Sequence, residues 1–77
     1  MEKIDTALAN VLRKLREKKD ISQEELSFRA ELHRTYISQL ERGLKSVTVK
    51  TLVRITDVLE IDIDDFMKMV KNELKKL

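Results

Sequence analysis

Apolar side chains recur along this chain at spacings of three and four residues, which place them on one face of an α-helix. The pattern predicts helices over residues 4–18, 49–59 and about 62–76. The apolar residues that form the pattern are Ile4, Leu8, Val11, Leu12 and Leu15, then Val49, Leu52, Ile55 and Leu59, which are expected to face inward, and finally Ile63, Phe66, Met67, Val70 and Leu74. Each of these helices is therefore predicted to bury one side in a common core.

Two shorter helices are predicted between them. Ser22 opens one, and Glu25 follows at the spacing of a capping box, in which each side chain bonds the other residue's backbone N–H. Residues 34–42 form the other, with Ile37 and Leu40 as its inward pair. Only the segment ELH separates the two helices, a short turn typical of a helix-turn-helix unit, although an antiparallel helical hairpin would show a similar pattern.

Several helix ends carry residues that suit those places. Gly43 follows the third helix, where a positive φ is favoured, and residues 44–47 are predicted to form a loop. Thr48 caps the fourth helix, and Asp62 begins the fifth with Asp65 at the reciprocal capping position. Five helices with four short connections predict an all-α fold, a compact five-helix bundle.

Composition agrees with such a bundle and excludes several classes of protein. Of the 77 residues, 42% are hydrophobic and 39% are charged; glycine occurs once, and proline and cysteine are absent. So few turn formers argue against an all-β fold, and the lack of cysteine excludes disulfides. The length fits one domain, residues 1–77. No apolar run could span a membrane and no signal-peptide pattern is present, so a cytoplasmic location is expected.

Charge is unevenly distributed, although the net charge is only +2. Lys and Arg outnumber Asp and Glu by 12 to 8 over residues 1–54, whereas residues 55–66 carry five acids and no base. A basic amino-terminal part favours a protein that presents one face to an anion such as nucleic acid. Ordinary charge scatter on a helical domain would look similar, so charge alone leaves the partner open.

The stretch ISQEELSFRAELHRTYISQLERG, residues 21–43, resembles the Cro and phage-repressor (Xre-like) helix-turn-helix family. The resemblance is carried by Gln23, Leu26, Ala30, Leu32 and the run Ile37-Ser38-x-x-Glu41-x-Gly43. The segments RTYIS and ERG are most similar to the controller proteins of restriction–modification systems. This resemblance implies a lambda repressor-like domain that regulates transcription by binding a palindromic operator as a homodimer. The alternatives are a phage-type repressor and an antitoxin-like protein-interaction module on the same fold.

The chain departs from the family at a few turn positions. Asp20, Glu31 and Glu60 stand where the family often has glycine. A non-glycine residue that must adopt a positive φ costs roughly 1 kcal/mol or more, a cost that aspartate tolerates better than glutamate. His33 stands where aspartate or serine would cap the following helix better.

In this motif, as in Cro and the phage repressors, the second helix lies in the major groove. The residues expected to contact bases lie on the side of that helix opposite Ile37 and Leu40. They are Arg34, Thr35, Ser38 and Gln39. Arginine can bond guanine through two hydrogen bonds, glutamine can bond adenine, and the threonine methyl can touch thymine.

A surrounding set is expected to contact phosphates, which fixes the position of the protein on the duplex. Its members are Ser22, Gln23, Tyr36, Arg42, Lys45 and Ser46. Backbone N–H groups at the start of the second helix would assist them. Two alternatives stay open: the ring of Tyr36 can pack inside the protein, and Lys45 can be an ordinary solvated charge. Glu41 is expected to pair with Arg13 or Arg16 and so to hold the recognition helix in place.

The fifth helix is expected to contribute to a dimer, because its apolar residues exceed what one side of a helix needs for its own core. The expected interface residues are Ile61, Phe66, Met69, Val70 and Leu74, and Ile63 and Phe66 are expected to point inward. The alternative is that these side chains only complete the core. The expected partners are therefore double-stranded operator DNA, a second copy of this chain and, as a further candidate, RNA polymerase.

Catalysis is not expected. The only histidine, His33, has no partners for nucleophilic or metal chemistry, and no glycine-rich loop could cradle a phosphate. The acids from Asp62 to Asp65 faintly resemble a calcium loop, but Phe66 and Met67 stand where an oxygen ligand and a glycine belong. These acids fit a helix start better. Neither a metal nor a cofactor is expected.

Overall fold

The computed structural model describes residues 2–77, and within them it contains five α-helices and no strand. The helices are α1 (Lys3–Lys18), α2 (Gln23–Ala30), α3 (Arg34–Glu41), α4 (Val49–Leu59) and α5 (Ile63–Lys76). Each bound lies within one residue of its predicted place, so the all-α five-helix fold is confirmed. Met1 of the predicted domain lies outside the described residues. Within the described part, no helix is long and apolar enough to cross a membrane.

The core lies between the five helices, and all of them contribute side chains to it. α1 packs against α5 and α3, α2 packs against α3 and α4, and α4 contacts α5. The largest completely buried side chains come from all five helices; they are Phe66, Leu12, Leu26, Ile37, Leu40, Ile55, Val11 and Val70. Burying a side chain of this size contributes roughly 1.5–3 kcal/mol. The core therefore holds together helices that would be too short to form alone in water.

Four apolar residues of the helical pattern are not buried, and the prediction that Val49 and Ile63 face inward is wrong. Ile4, Ile63 and Met67 are exposed, and Val49 is 74% exposed. These residues lie in the first or second turn of α1, α4 or α5 and line one groove. The spacing of apolar residues predicts the face of a helix, but it does not predict how far along the axis the core reaches.

Two predicted interface residues of α5 also need correction. Phe66 and Val70 are completely buried within the protomer, so neither offers surface to a partner, whereas the expectation that Phe66 points inward is confirmed. Ile61, Met69 and Leu74 are partly buried and pack against the core. The alternative that these side chains complete the core therefore holds for Phe66 and Val70.

α5 is joined to α1 by polar contacts as well as by the core. The Glu73 carboxylate accepts a hydrogen bond from Asn10 Nδ2 at 3.0 Å and lies 3.4 Å from Lys14 Nζ. The hydrogen bond from Asn10 and the charge of Lys14 hold the pKa of the Glu73 carboxyl below its ordinary value. The carboxylate is therefore ionised at neutral pH and holds the two helices together.

Four helix ends share one backbone arrangement. After α1, α2, α3 and α4 comes a residue with positive φ: Asp20 (58°), Glu31 (58°), Gly43 (73°) and Glu60 (57°). The next residue donates its N–H to a carbonyl five positions earlier, and it is apolar each time (Ile21, Leu32, Leu44 and Ile61). This is the Schellman motif. Three of these left-handed positions are thus occupied by non-glycine residues.

The predicted caps are present in part. Ser22 Oγ accepts from the Glu25 N–H at 2.9 Å, but the Glu25 carboxylate bonds Arg29 rather than returning to Ser22. Thr48 Oγ1 accepts from the Thr51 N–H at 3.1 Å. His33 and Asp62 precede α3 and α5 without a side-chain cap bond. The sequence therefore predicted the helix starts correctly and only some of the hydrogen bonds that stabilise them.

Glu31→Gly is expected to stabilise the protein by about 1 kcal/mol, because glycine has no Cβ to oppose a φ of 58°. For a domain of this size, that change should raise the melting temperature by roughly 4–8 °C. Circular dichroism during thermal unfolding measures it. Glu60 is a poorer site for this test, since its carboxylate is paired with Lys19.

The matched control is Glu31→Ala, which removes the same carboxylate but keeps the Cβ. If Glu31→Gly melts no higher than Glu31→Ala, backbone strain at this turn is absent.

Candidate nucleic-acid interface

The outward side of α3 forms one wall of a shallow polar depression of about 330 Å³ that is open to solvent. Its lining residues come from α2, from α3 and from the position after α3; they are Gln23, Arg34, Thr35, Ser38, Gln39 and Arg42. All four residues predicted to contact bases thus lie on one surface. Two of those predicted to contact phosphate lie beside them.

This surface faces outward because the opposite side of α3 is anchored. Ile37 and Leu40 are completely buried in the core, which leaves positions 34, 35, 38 and 39 on the far side of the helix. Arg34 and Thr35 are exposed, and Ser38 and Gln39 are half-buried. The hydrogen-bonding groups of these side chains are therefore held at the surface by a helix whose other side cannot leave the protein without exposing its apolar residues.

The contacts of Arg34 are weak. Its guanidinium Nη1 lies 3.9 Å from Glu24 Oε2, and both side chains are well exposed. Exposed ion pairs contribute little to stability. Arg34 can therefore leave Glu24 for another acceptor at small cost.

The residues predicted to contact phosphate are only partly brought together. Ser22 precedes α2 and uses its oxygen as a cap, which leaves its hydroxyl hydrogen free to donate. Lys45 is exposed on the segment after α3. Tyr36 is partly buried and packs against the core, in agreement with the packing alternative. Ser46 lies apart from the depression, because its hydroxyl donates to Asp5 Oδ1 at 3.0 Å and it lines a different groove.

A buried carboxylate at the end of α3 is bound by several donors. Glu41 is 4% exposed. Arg16 donates from Nε to Oε2 at 2.6 Å and from Nη2 to Oε1 at 3.0 Å, so two parallel bonds join α1 to α3. The hydrogen bond to Glu41 raises the pKa of Arg16 above its ordinary value. The predicted pairing of Glu41 with Arg16 is confirmed.

The same carboxylate reaches the edge of the depression. Gln23 Nε2 donates to Glu41 Oε1 at 3.1 Å, and Gln23 is one of the lining residues. Arg13 binds the main chain instead, since its Nη1 donates to the carbonyl oxygen of Glu41 at 3.0 Å. Sequence reasoning missed the bond between Gln23 and Glu41, because a spacing of eighteen residues across a turn carries no periodic signal.

Two apolar features were also missed. Phe28 on α2 is 80% exposed. A second groove, of about 450 Å³, lies at the amino-terminal ends of α1, α4 and α5, and its exposed apolar residues are Ile4, Val49, Ile63 and Met67. A sequence signal for this groove exists at Val49 and Ile63, which directly follow the predicted caps Thr48 and Asp62.

The acids at the start of α5 lie together. Carboxylate oxygens of Asp62, Asp64 and Asp65 are within 4.8 Å of one another, and all three residues are exposed. They occupy the position at which negative charge interacts favourably with the helix dipole, which is a sufficient account of the cluster.

Comparison with known proteins agrees with this geometry. A family model described as helix-turn-helix matches residues 12–66. The chain is 40% identical to control protein C.BamHI from Bacillus amyloliquefaciens over 62 residues, which cover 77% of this chain and 76% of that protein. It is 35% identical to control protein C.MunI from Mycoplasma sp. over 74 residues, which cover 95% of this chain and 100% of that protein.

The fold is similar to that of a solved complex. The structure of the restriction–modification controller protein C.Esp1396I, a tetramer in complex with its natural 35 base-pair operator, superimposes with a TM-score of 0.88 at 32% identity. The match covers 96% of this chain and 97% of that one. The chain therefore belongs to the helix-turn-helix family and, within it, to the restriction–modification controller proteins.

Proposed function

We propose that this protein is a sequence-specific DNA-binding regulator of transcription that controls restriction–modification genes by occupying their operator in the cytoplasm. The observation that carries this proposal is the polar outer side of α3, with Arg34, Thr35, Ser38 and Gln39 on one open surface. Its relative C.Esp1396I was solved on its operator with the same fold. The centre of a protein–protein interface is enriched in aromatic residues and methionine. None of the residues that line this depression is of these types, so this face favours DNA over an antitoxin-like role.

In this mechanism α3 enters the major groove and its side chains contact base edges. Arg34 donates to guanine O6 and N7, Gln39 bonds adenine N6 and N7, and the Thr35 methyl packs against thymine. Gln23 and Arg42 lie at the sides of the same depression, and they donate to phosphates together with the Ser22 hydroxyl and Lys45. Tyr36 and Ser46 are left out of this set, because Tyr36 packs against the core and the Ser46 hydroxyl donates to Asp5 at the surface.

Arg34→Ala is expected to remove discrimination at one base pair, because a bidentate contact to guanine accounts for about 1–3 kcal/mol of preference. Lys45→Ala should weaken binding to all sequences by a similar factor and lower the slope of log affinity against log salt by about 1. Duplexes selected by the protein from random DNA, followed by a panel of single base-pair variants, provide the measurement.

Lys68→Ala is the control, since it removes an exposed lysine from α5, away from α3. Uniform loss across the panel for both Arg34→Ala and Lys45→Ala would show that the division of roles is wrong. Failure of the unaltered protein to select any sequence would refute the proposed function itself.

We place the surface of a homodimer on the apolar groove formed by Ile4, Val49, Ile63 and Met67. Val53, one turn beyond Val49 on α4, extends the exposed apolar surface. Contiguous apolar patches of this kind mark interfaces. A two-fold dimer would double the number of base pairs read, in two half-sites about one helical turn apart. In this arrangement α5 contributes Ile63 and Met67 rather than Ile61, Met69 and Leu74, which pack against the core.

Val49→Glu is expected to raise the dimer dissociation constant at least about tenfold, because it places a charge in an interface where burying one is costly. The protomer should stay folded, since Val49 is 74% exposed and a glutamate in the first turn of α4 interacts favourably with the helix dipole. Sedimentation equilibrium measures the association.

Phe28→Glu serves as the matched control, because it places the same charge at an equally exposed apolar residue outside the groove. Equal association of Val49→Glu and the unaltered chain would place the interface elsewhere.

RNA polymerase is a further proposed partner, reached through Phe28. This side chain is 80% exposed and is not among the residues lining the depression, and Glu24 and Glu25 precede it by one turn of α2. An exposed aromatic ring beside carboxylates suits a protein partner with an apolar and basic surface.

Phe28→Ser is expected to keep operator affinity and to lower activated transcription several-fold in a purified system with polymerase. Footprinting in the same reaction reports operator occupancy. Unchanged transcript levels at full occupancy would leave Phe28 without this role. Absence of any activation by the unaltered protein would favour a protein that acts by repression alone, as a phage-type repressor does.

A further inference from the structure

The buried Glu41 carboxylate has a contact that holding α3 in place does not require. Arg16 alone neutralises its charge with two hydrogen bonds, and Arg13 holds the main chain at the same residue. The third donor to the carboxylate is Gln23 Nε2, from the start of α2. This donor belongs to a side chain that lines the depression.

The Glu41 carboxylate fixes the orientation of the Gln23 side-chain amide. A neutral amide offers a carbonyl oxygen at one end and an NH₂ group at the other, and either end can face a neighbour that both donates and accepts. In its ion pair with Arg16 the Glu41 carboxylate offers only acceptor oxygens. The nitrogen of Gln23 must therefore face Glu41, which occupies one N–H and leaves the second N–H and the carbonyl oxygen for other partners.

We infer that Glu41 is a positioning residue for DNA binding: it orients the Gln23 amide so that its second N–H can donate to a DNA phosphate. This inference rests on the proposed function and adds a role for a residue that itself stays out of contact with DNA. Preorganisation of this kind helps binding because a side chain held in one rotamer loses less conformational entropy on complex formation.

A double-mutant cycle tests the inference with Gln23→Ala and Glu41→Gln on a duplex that the unaltered protein selects from random DNA. Gln23→Ala should cost about tenfold in affinity in the native background, as expected for a hydrogen bond to a charged group. In the Glu41→Gln background the amide at position 41 can also donate, so the orientation of Gln23 is no longer fixed. The cost of Gln23→Ala should then fall below about twofold.

Arg42→Ala supplies the matched control. Arg42 lines the same depression, and the structure gives it no side-chain bond to Glu41. Its cost should be equal in the two backgrounds. If Glu41 had a purely structural role, Glu41→Gln would lower the affinity cost of Gln23→Ala and that of Arg42→Ala alike. If Glu41 positions Gln23, only the cost of Gln23→Ala falls.

A second measurement needs no substitution at Glu41 and covers the case in which Glu41→Gln fails to fold. In the free native protein, ¹⁵N relaxation should show the Gln23 side-chain amide to be as rigid as the backbone. Its order parameter should be about 0.85, whereas a mobile group would have one below about 0.6.

Equal costs of Gln23→Ala in the two backgrounds, or a mobile Gln23 amide in the free protein, would overturn the positioning role and leave the proposed function intact. If the native protein selects no duplex at all, the proposed function is refuted, and the positioning role is refuted with it.

Discussion

The ion pair between Arg16 and Glu41 is the contact on which the placement of the helix-turn-helix unit depends. A carboxylate as buried as Glu41 is tolerated only when its charge is compensated and its oxygens are hydrogen-bonded. Arg16 meets both needs from α1, and its Nη1 also donates to the Ile21 carbonyl between α1 and α2. One guanidinium thus ties α1 to the end of α3 and to the entry of α2. Removing it would leave a buried charge without a compensating charge, since the remaining donor, Gln23, is neutral.

Around this pair, α3 serves two requirements with its two sides. Eight residues are too few to hold a helix in water, so Ile37 and Leu40 must stay in the core if α3 is to exist. The outer side of α3 is not needed for the core, so it can carry polar groups that contact DNA. Gln23 extends this surface from α2, and the shared carboxylate places the two helices in one fixed relation. Because the buried side of α3 is fixed in the core, the polar side chains on its outer side are held in a constant arrangement for recognition.

Much of this arrangement could be predicted from the sequence, and the exceptions have physical reasons. Helix positions followed from apolar spacing and from Ser22 and Thr48, and the exposed residues of α3 followed from the burial of Ile37. An apolar residue follows Glu31 and Glu60, as it follows each of the other positive-φ positions. In this chain that apolar residue is therefore a better sequence signal of the turn than glycine, which occurs at only one of the four. The exposure of Val49, the contact of Ser46 with Asp5 and the bond between Gln23 and Glu41 could not be predicted, because they depend on tertiary placement rather than on local pattern.

The three non-glycine residues at left-handed turns have a consequence for the life of the protein in a cell. Glu31 and Glu60 each cost roughly 1 kcal/mol that a glycine would not, and Asp20 costs less, so the folded state lies closer to unfolding than the fold requires. Changes of 1–2 kcal/mol alter the abundance of a protein several-fold, because proteases remove molecules from the unfolded population. Strain at Asp20, Glu31 and Glu60 would therefore shorten the lifetime of each molecule, and the amount present would follow its rate of synthesis more closely.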